Sequence, residues 1–249
     1  MKQQTHLLIL SLLTTIGLVH ATTFKVDCRD RSPELILTSS GCLGPVAEIV
    51  ESALKHDGHK VKWQHNSWDT TITAAETGDI DLVIRHSMNP ERETFLQEVA
   101  SGYEIRLIYY FLAPRRDMVI RLQSDMNGLR VGAKEGSFYS PEFEQNTNIE
   151  KVLFADDDDI ARALTNNEID LAITSEAHGL ERFRVIQGAR AVTYTERFLN
   201  GRYISIPTNS KAARHFPALE AEINRMIKEG DIDRVFEQYG LRPPFQIND

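Results

Sequence analysis

The stretch Ala74-Ala75-Glu76-Thr77-Gly78-Asp79-Ile80-Asp81-Leu82-Val83-Ile84 returns, altered but legible, as Ala163-Leu164-Thr165-Asn166-Asn167-Glu168-Ile169-Asp170-Leu171-Ala172-Ile173. Each copy reads as the end of a helix, a tight polar turn, and a short apolar strand too continuous to leave one face wet. Two such units about 90 residues apart predict two α/β lobes built alike, with a cleft between them.

Upstream of the first copy, Phe24-Lys25-Val26-Asp27-Cys28 reads as a strand. Beyond Gly44-Pro45, the apolar residues Val46, Ile49, Val50, Ala53 and Leu54 recur at helical spacing, so one face of a helix is buried. Lys60 to His65 alternates as a strand, and Asn66-Ser67-Trp68-Asp69 caps the helix that ends in the first copy. Downstream, Glu104 to Leu112 is a long β-prone run, long enough to carry the chain from one lobe to the other. Leu129 to Lys134 and Val152-Leu153-Phe154 are strands, and Asp156 to Asp159 open the helix of the second copy. The chain returns through Gly201 to Pro207 and finishes in helices carrying Leu219, Ile223, Met226 and Ile227, then Ile232 to Tyr239. No low-complexity linker separates the halves.

Composition narrows the class. At 249 residues with 41% hydrophobic content the chain can bury a substantial core. Residues 1–21 read as a secretory signal peptide: Lys2, the apolar run Leu7 to Leu13, and Val19-His20-Ala21 before a first mature residue Thr22. No second apolar run approaches the length of a membrane span, so the expectation is a soluble exported, periplasmic protein. The formal net charge is -8; removing residues 1–21 takes away Lys2 alone and leaves 27 basic against 36 acidic residues. That balance argues against nucleic acid or anionic lipid as a partner. Cys28 and Cys42 are the only cysteines. In an oxidising compartment they either form a bridge or stay separate buried thiols, and the spacing does not decide between the two.

Taken in order, these segments resemble the extracytoplasmic solute-binding proteins of family 3, the receptors that deliver amino acids and related polar solutes to ABC importers. The resemblance rests on the strand and Gly44 helix, Trp68, Gly78 to Ile84, Asn89-Pro90-Glu91-Arg92, and Tyr103. It continues through Met126 to Gly132 with Gly136-Ser137, Asn167 to Ile173, and the closing Ile227-Lys228-Glu229-Gly230 and Phe236 to Gly240. It implies an α/β, type II periplasmic-binding-protein fold of two lobes that closes on its ligand like a hinge. On that basis lobe 1 is expected over 22–108 and 205–249, lobe 2 over 113–200, and the crossings near 109–112 and 201–204. A monomer without cofactor or metal is expected, with ABC importer membrane subunits or a sensor kinase as partner.

The resemblance also implies ligand contacts. Arg92 stands where such receptors place the arginine that grips a ligand carboxylate, a role its planar fork of donors suits. The alternative is a solvated arginine paired with Glu91 or Glu93. Because the segment from Asp81 to Arg92 is one residue shorter than the familiar pattern, the registers of Arg85 and Ser87 stay open. Ser137, after Gly136 at a strand-to-helix turn, is the second carboxylate contact or else a plain helix cap. Phe138, Tyr139 and Lys134 neighbour it. Trp68 is expected to pack on the ligand and Trp63 in the core. The departure lies at Ile173-Thr174-Ser175-Glu176, where Ser175 occupies the position of the aspartate that pairs with an α-ammonium. Either Glu176 turns inward to replace it, or the ligand is a carboxylate or other polar solute without that ammonium.

An enzyme of the cyclohexadienyl-dehydratase type is the alternative, with Glu176 or Glu135 as general acid; a ligand-sensing protein is another. Asp156-Asp157-Asp158-Asp159 reads as a helix start favoured by the dipole rather than a calcium site. The histidines lack metal-ligand spacing, and neither a G-x-S-x-G elbow nor a Walker loop is present.

Overall fold

The structure, a computed structural model, describes residues 21–247; the signal-peptide reading falls, but for Ala21, outside them. The chain begins with β1 (Thr23–Cys28), the hairpin β2 (Ile36–Thr38) and β3 (Gly41–Leu43), α1 (Pro45–His56), β4 (Lys60–His65), α2 (Trp68–Thr77) and β5 (Val83–His86). The long β6 (Leu96–Leu112) leads to β7 (Arg130–Lys134), α3 (Pro141–Gln145), β8 (Glu150–Phe154), α4 (Asp157–Thr165), β9 (Leu171–Thr174) and α5 (Leu180–Arg184). The equally long β10 (Arg190–Pro207) brings it back to α6 (Phe216–Lys228) and α7 (Asp231–Gln238).

A six-stranded sheet in the order β5-β10-β6-β9-β7-β8 runs through the molecule. The parallel pair β1-β4 extends it, because Val26 bridges to Leu82 just ahead of β5. Two apolar cores form along it. The first gathers β1, the α1 stripe Val46, Ile49, Val50, Ala53 and Leu54, and Ile223, Met226 and Phe236 of the closing helices. The second packs Val131, Leu171 and Ile173 with Ile108, Tyr110 and Leu112 on one face of the sheet, and Phe111, Ala172, Ile160 and Phe183 on the other.

The two copies of the repeat make the same backbone bonds. Asp79 N–H donates to Ala74 O at 2.8 Å, and Glu168 N–H to Ala163 O at 2.9 Å. Asp81 and Asp170 then do one job in two places. Asp81 accepts from the Lys25 N–H of β1 at 2.8 Å, and Asp170 from the Arg130 N–H of β7 at 2.9 Å, so each carboxylate secures the start of the adjacent parallel strand. The apolar residues that follow point alternately to both faces and are all buried: Leu82, Val83 and Ile84 in one copy, Leu171, Ala172 and Ile173 in the other. The copies differ at the turn. Gly78 (φ +76°) packs its Cα against the Asn209 carbonyl, so that an added Cβ would lie 2.4 Å from that oxygen. Asn167 (φ +60°) takes the same backbone form with a side chain, whose Oδ1 accepts from Arg115 N–H at 2.9 Å.

The strands β6 and β10 belong to both cores. Val99, Ile204 and Ile206 pack in the first, whereas Ile108, Tyr110, Leu112 and Phe198 pack in the second. The change of core thus falls between Val99 and Ile108 going out, and between Phe198 and Ile204 coming back. An unbroken β-prone run has no internal mark of where its partners change. The ladder slips between Gly201 and Tyr203, within the return change.

Cys28 and Cys42 are bridged, with Cα atoms 5.9 Å apart. The bridge ties the end of β1 to β3 and closes the loop carrying Arg29, Arg31 and Glu34. Replacing both cysteines by alanine is expected to lower stability by about 3 kcal/mol from loop closure, read as a shift in urea midpoint. In the same assay Gly78→Ala should lose at least about 2 kcal/mol, combining a left-handed backbone with a carbonyl clash.

Candidate functional site

The carboxyl ends of β1 and β5, where side chains escape the sheet, open on the space between the two cores. This is where α/β sheets place ligands. A cavity of about 50 Å³ lies there, lined by Arg29, Arg31, Trp68, Arg85, His86, Ser87, Arg92, Arg106, Gly136, Ser137, Phe138 and His178. Five guanidinium groups converge, and among the described residues no carboxylate lines the space.

Three of these arginines, Arg29, Arg85 and Arg106, pair with carboxylates. At the floor, Asp27 is fully buried; its Oδ1 accepts from Ile84 N–H at 2.7 Å and its Oδ2 from Arg29 Nε at 2.5 Å. Burial raises the Asp27 pKa, with Arg29 pulling the other way. Arg29 in turn donates to the Ile84 carbonyl and lies 4.4 Å from the centre of the Trp68 ring. Arg85, at φ +52°, pairs with Glu34 and reaches Glu104 at 3.6 Å. Arg106 sits two residues beyond Glu104 on the same face of β6 and donates to it at 2.8 Å. Burial alone would raise the Glu104 pKa, but Arg85, Arg202 and Arg106 hold it down to about 2.

Arg92 is the exception. It is 6% exposed, yet makes no ion pair among the described residues. Its guanidinium donates to two neutral carbonyls, Ser87 O at 2.7 Å and Gly136 O at 2.9 Å, and sits 4.7 Å from the Trp68 ring centre. Two of its five N–H groups are thereby spent and three remain. Burial, opposed by Glu91 and reinforced by Arg29, lowers it to about 10, the mark of a cation short of compensating charge.

Two histidines complete the lining, and both are kept neutral. His86 places Nδ1 3.1 Å from Ser87 O and Nε2 2.9 Å from Ser205 Oγ. A carbonyl cannot donate, so the proton sits on Nδ1 and Ser205 donates to Nε2. Burial pushes His86 down to about 3, against the Ser87 carbonyl and with Arg92, Arg29 and Arg85 adding to the shift. His178 is also driven well below its ordinary value, by burial first and then by Arg106, Arg31, Lys134 and Arg85. Its Nδ1 lies 2.6 Å from Ser175 Oγ and its ring packs 4.6 Å from that of Tyr139.

The residues singled out in the sequence divide into those the cavity gathers and those it does not. Arg92, Trp68, Ser87, Ser137 and Phe138 line it. Phe138 is braced edge-on by Phe198 at 5.9 Å. The Trp68 ring is engaged by two guanidiniums, and its Nε1–H donates to Gly136 O at 2.9 Å. Trp63 packs against the first core with its N–H on Glu51. Ser175 is buried behind the wall, bonded to His178 rather than facing the space. Glu176 is exposed and borders a separate surface depression with Asp157, Glu181 and Arg182. Lys134 lies at the end of β7 away from the lining, its N–H donating to the Tyr139 hydroxyl at 2.9 Å. Glu135 is exposed. Asp156 caps α4 by accepting from Asp159 N–H at 2.8 Å, and no group of His, Cys, Asp or Glu among the described residues is placed to hold a metal.

The sequence reading missed Arg29, Arg31, His86, Arg106 and His178. Arg29 and Arg31 carried a signal, standing just past the end of a buried parallel strand. Arg106 did not, because its cleft-facing role depends on where β6 changes core.

The lobes touch directly at this site. Trp68 and Arg92, from the side of the first core, both donate to the carbonyl of Gly136 in the turn after β7. Gly136 (φ +67°) lets that turn approach: an added Cβ would sit 3.2 Å from the Asp69 carboxylate.

No protein-family model matches the chain, and no curated protein sequence matches it. Solved structures do. The P235GK mutant of ArgBP from T. maritima aligns with TM-score 0.63 at 15% identity, covering 87% of this chain and 94% of its own. AbpA from Streptococcus pneumoniae, an amino acid ABC transporter substrate-binding protein bound to L-arginine, aligns with TM-score 0.61 at 15% identity, covering 88% and 94%. A histidine kinase sensor domain with similarity to periplasmic binding proteins aligns with TM-score 0.65 at 17% identity, covering 90% and 98%. The chain therefore has the two-lobed α/β fold of the periplasmic binding proteins.

Proposed function

We propose that this protein is an exported, periplasmic receptor that closes around a small anion and presents the closed form to a membrane partner. The observation that carries the reading is Arg92, a buried guanidinium with no carboxylate partner among the described residues, facing a cavity lined by four more arginines. An anion entering that space meets donors already oriented, which is how binding sites avoid the cost of reorganising.

Of the two ligand classes open at the sequence level, the geometry favours a carboxylate without an ammonium. Ser175 is turned toward His178 and Glu176 toward solvent, so neither offers a negative charge to an α-ammonium. Arginine, bound to the S. pneumoniae protein, would bring a further guanidinium among five. Neither Glu135 nor Glu176 lines the cavity, which speaks for binding rather than acid catalysis. The hinge assigned here comprises the changes of core on β6 and β10. Because the fold is shared by an ABC transporter substrate-binding protein and a histidine kinase sensor domain, the partner is taken to be an importer's membrane subunits or a sensor kinase.

Thermal-shift screening of the purified protein should find organic acids that raise its melting temperature, since a ligand of the native state stabilises by mass action. Arg92→Gln is expected to abolish that shift; a full shift in the variant would remove Arg92 from the site. Trp68→Phe keeps a ring under both guanidiniums but removes the N–H that reaches Gly136. It should weaken closure by about 1 kcal/mol, seen as roughly fivefold poorer affinity and a more open form in small-angle scattering.

A further inference from the structure

Building on the anion-receptor reading, we infer that the cavity takes a compact dianion, a molecule whose two negative charges lie a few bonds apart, such as a short dicarboxylate or a phosphate. The lining has two cationic poles. Arg29 and Arg92 share the Trp68 ring, at 4.4 and 4.7 Å. Arg85 and Arg106 share Glu104, at 3.6 and 2.8 Å. Ser87 joins the poles: its carbonyl accepts from Arg92 at 2.7 Å, and its hydroxyl from Arg106 Nη1 at 3.3 Å. A ligand resting against Ser87 is thus within reach of both.

A single carboxylate satisfies one guanidinium fork and leaves the other pole unmatched. The acids that pair with these arginines are already divided among several groups. Glu104 is divided among Arg85, Arg106 and Arg202, and Glu34 between Arg85 and Arg202. Asp27 is taken up by Arg29 and the Ile84 N–H. The two neutral histidines add no charge of either sign. Size limits the ligand further: a space of about 50 Å³ suits a phosphate or a short diacid better than a long-chain acid.

Isothermal titration of the purified protein with malonate, succinate, inorganic phosphate, acetate, glutamate and arginine tests this. At least one dianion is expected to bind about tenfold or more tightly than acetate and glutamate, with affinity falling as salt rises. Preference for malonate or succinate over phosphate assigns the dicarboxylate; the reverse assigns the phosphate. Arg106→Gln should narrow the ratio of dianion to acetate affinity by about tenfold. Arg106→Lys, which keeps the charge, should retain most of that ratio and covers the case in which the glutamine variant does not fold. Acetate binding as tightly as every dianion would overturn the inference and leave the anion receptor standing. Arginine as the tightest ligand, or no binding by any acid at millimolar concentration, would overturn both.

Discussion

Like charges held together in a small buried space are the constraint on which this structure turns. Two guanidiniums about 6 Å apart repel by roughly 3 kcal/mol at an effective dielectric near 20, and the cavity gathers five. The fold contains that repulsion by spreading its anchors. Asp27 holds Arg29 from the floor, Glu34 and Glu104 hold Arg85, Arg106 and Arg202 at the crossing, and the Trp68 ring offers its face to Arg29 and Arg92. Arg92 is left with neutral carbonyl acceptors and a depressed pKa. The electrostatics that oppose the gathering of these cations favour an anion among them.

The anchors also stand where the two lobes meet. Glu104 and Arg106 stand on the strand that changes core, and Arg202 on its return partner. Arg92 and Trp68 meet Gly136 across the cleft. Lobe contact and the charged lining therefore meet in Trp68, whose ring faces Arg29 and Arg92 and whose N–H reaches Gly136.

Much of the architecture was legible before any coordinates because it depends on local patterns. The repeat marked two helix-turn-strand units, and Asp81 and Asp170 recur because each must tie down a neighbouring parallel strand. Ser67 reads as a helix cap and is one, accepting from Thr70 N–H. The site was only partly legible. Trp68, Ser87, Arg92, Ser137 and Phe138, which line the cavity, were singled out through a resemblance whose elements fall at strand ends and turns. Arg106 and His178 were not, since nothing near them in the chain distinguishes a cleft-facing side chain from an ordinary one. Ser175 and Glu176 show the converse, with a suggestive position but side chains turned to His178 and to solvent.

Local patterning in the sequence is enough to specify two α/β units, because apolar periodicity, capping residues and turn glycines act within a few residues of one another. It left open whether Cys28 meets Cys42 and which charges face the cleft. Those are distances between segments far apart in the chain, set by how the two cores pack around shared strands. Only the tertiary structure brings Arg29, Arg85, Arg92 and Arg106 around one small cavity. Only there does a chain of acidic overall charge acquire a cationic interior.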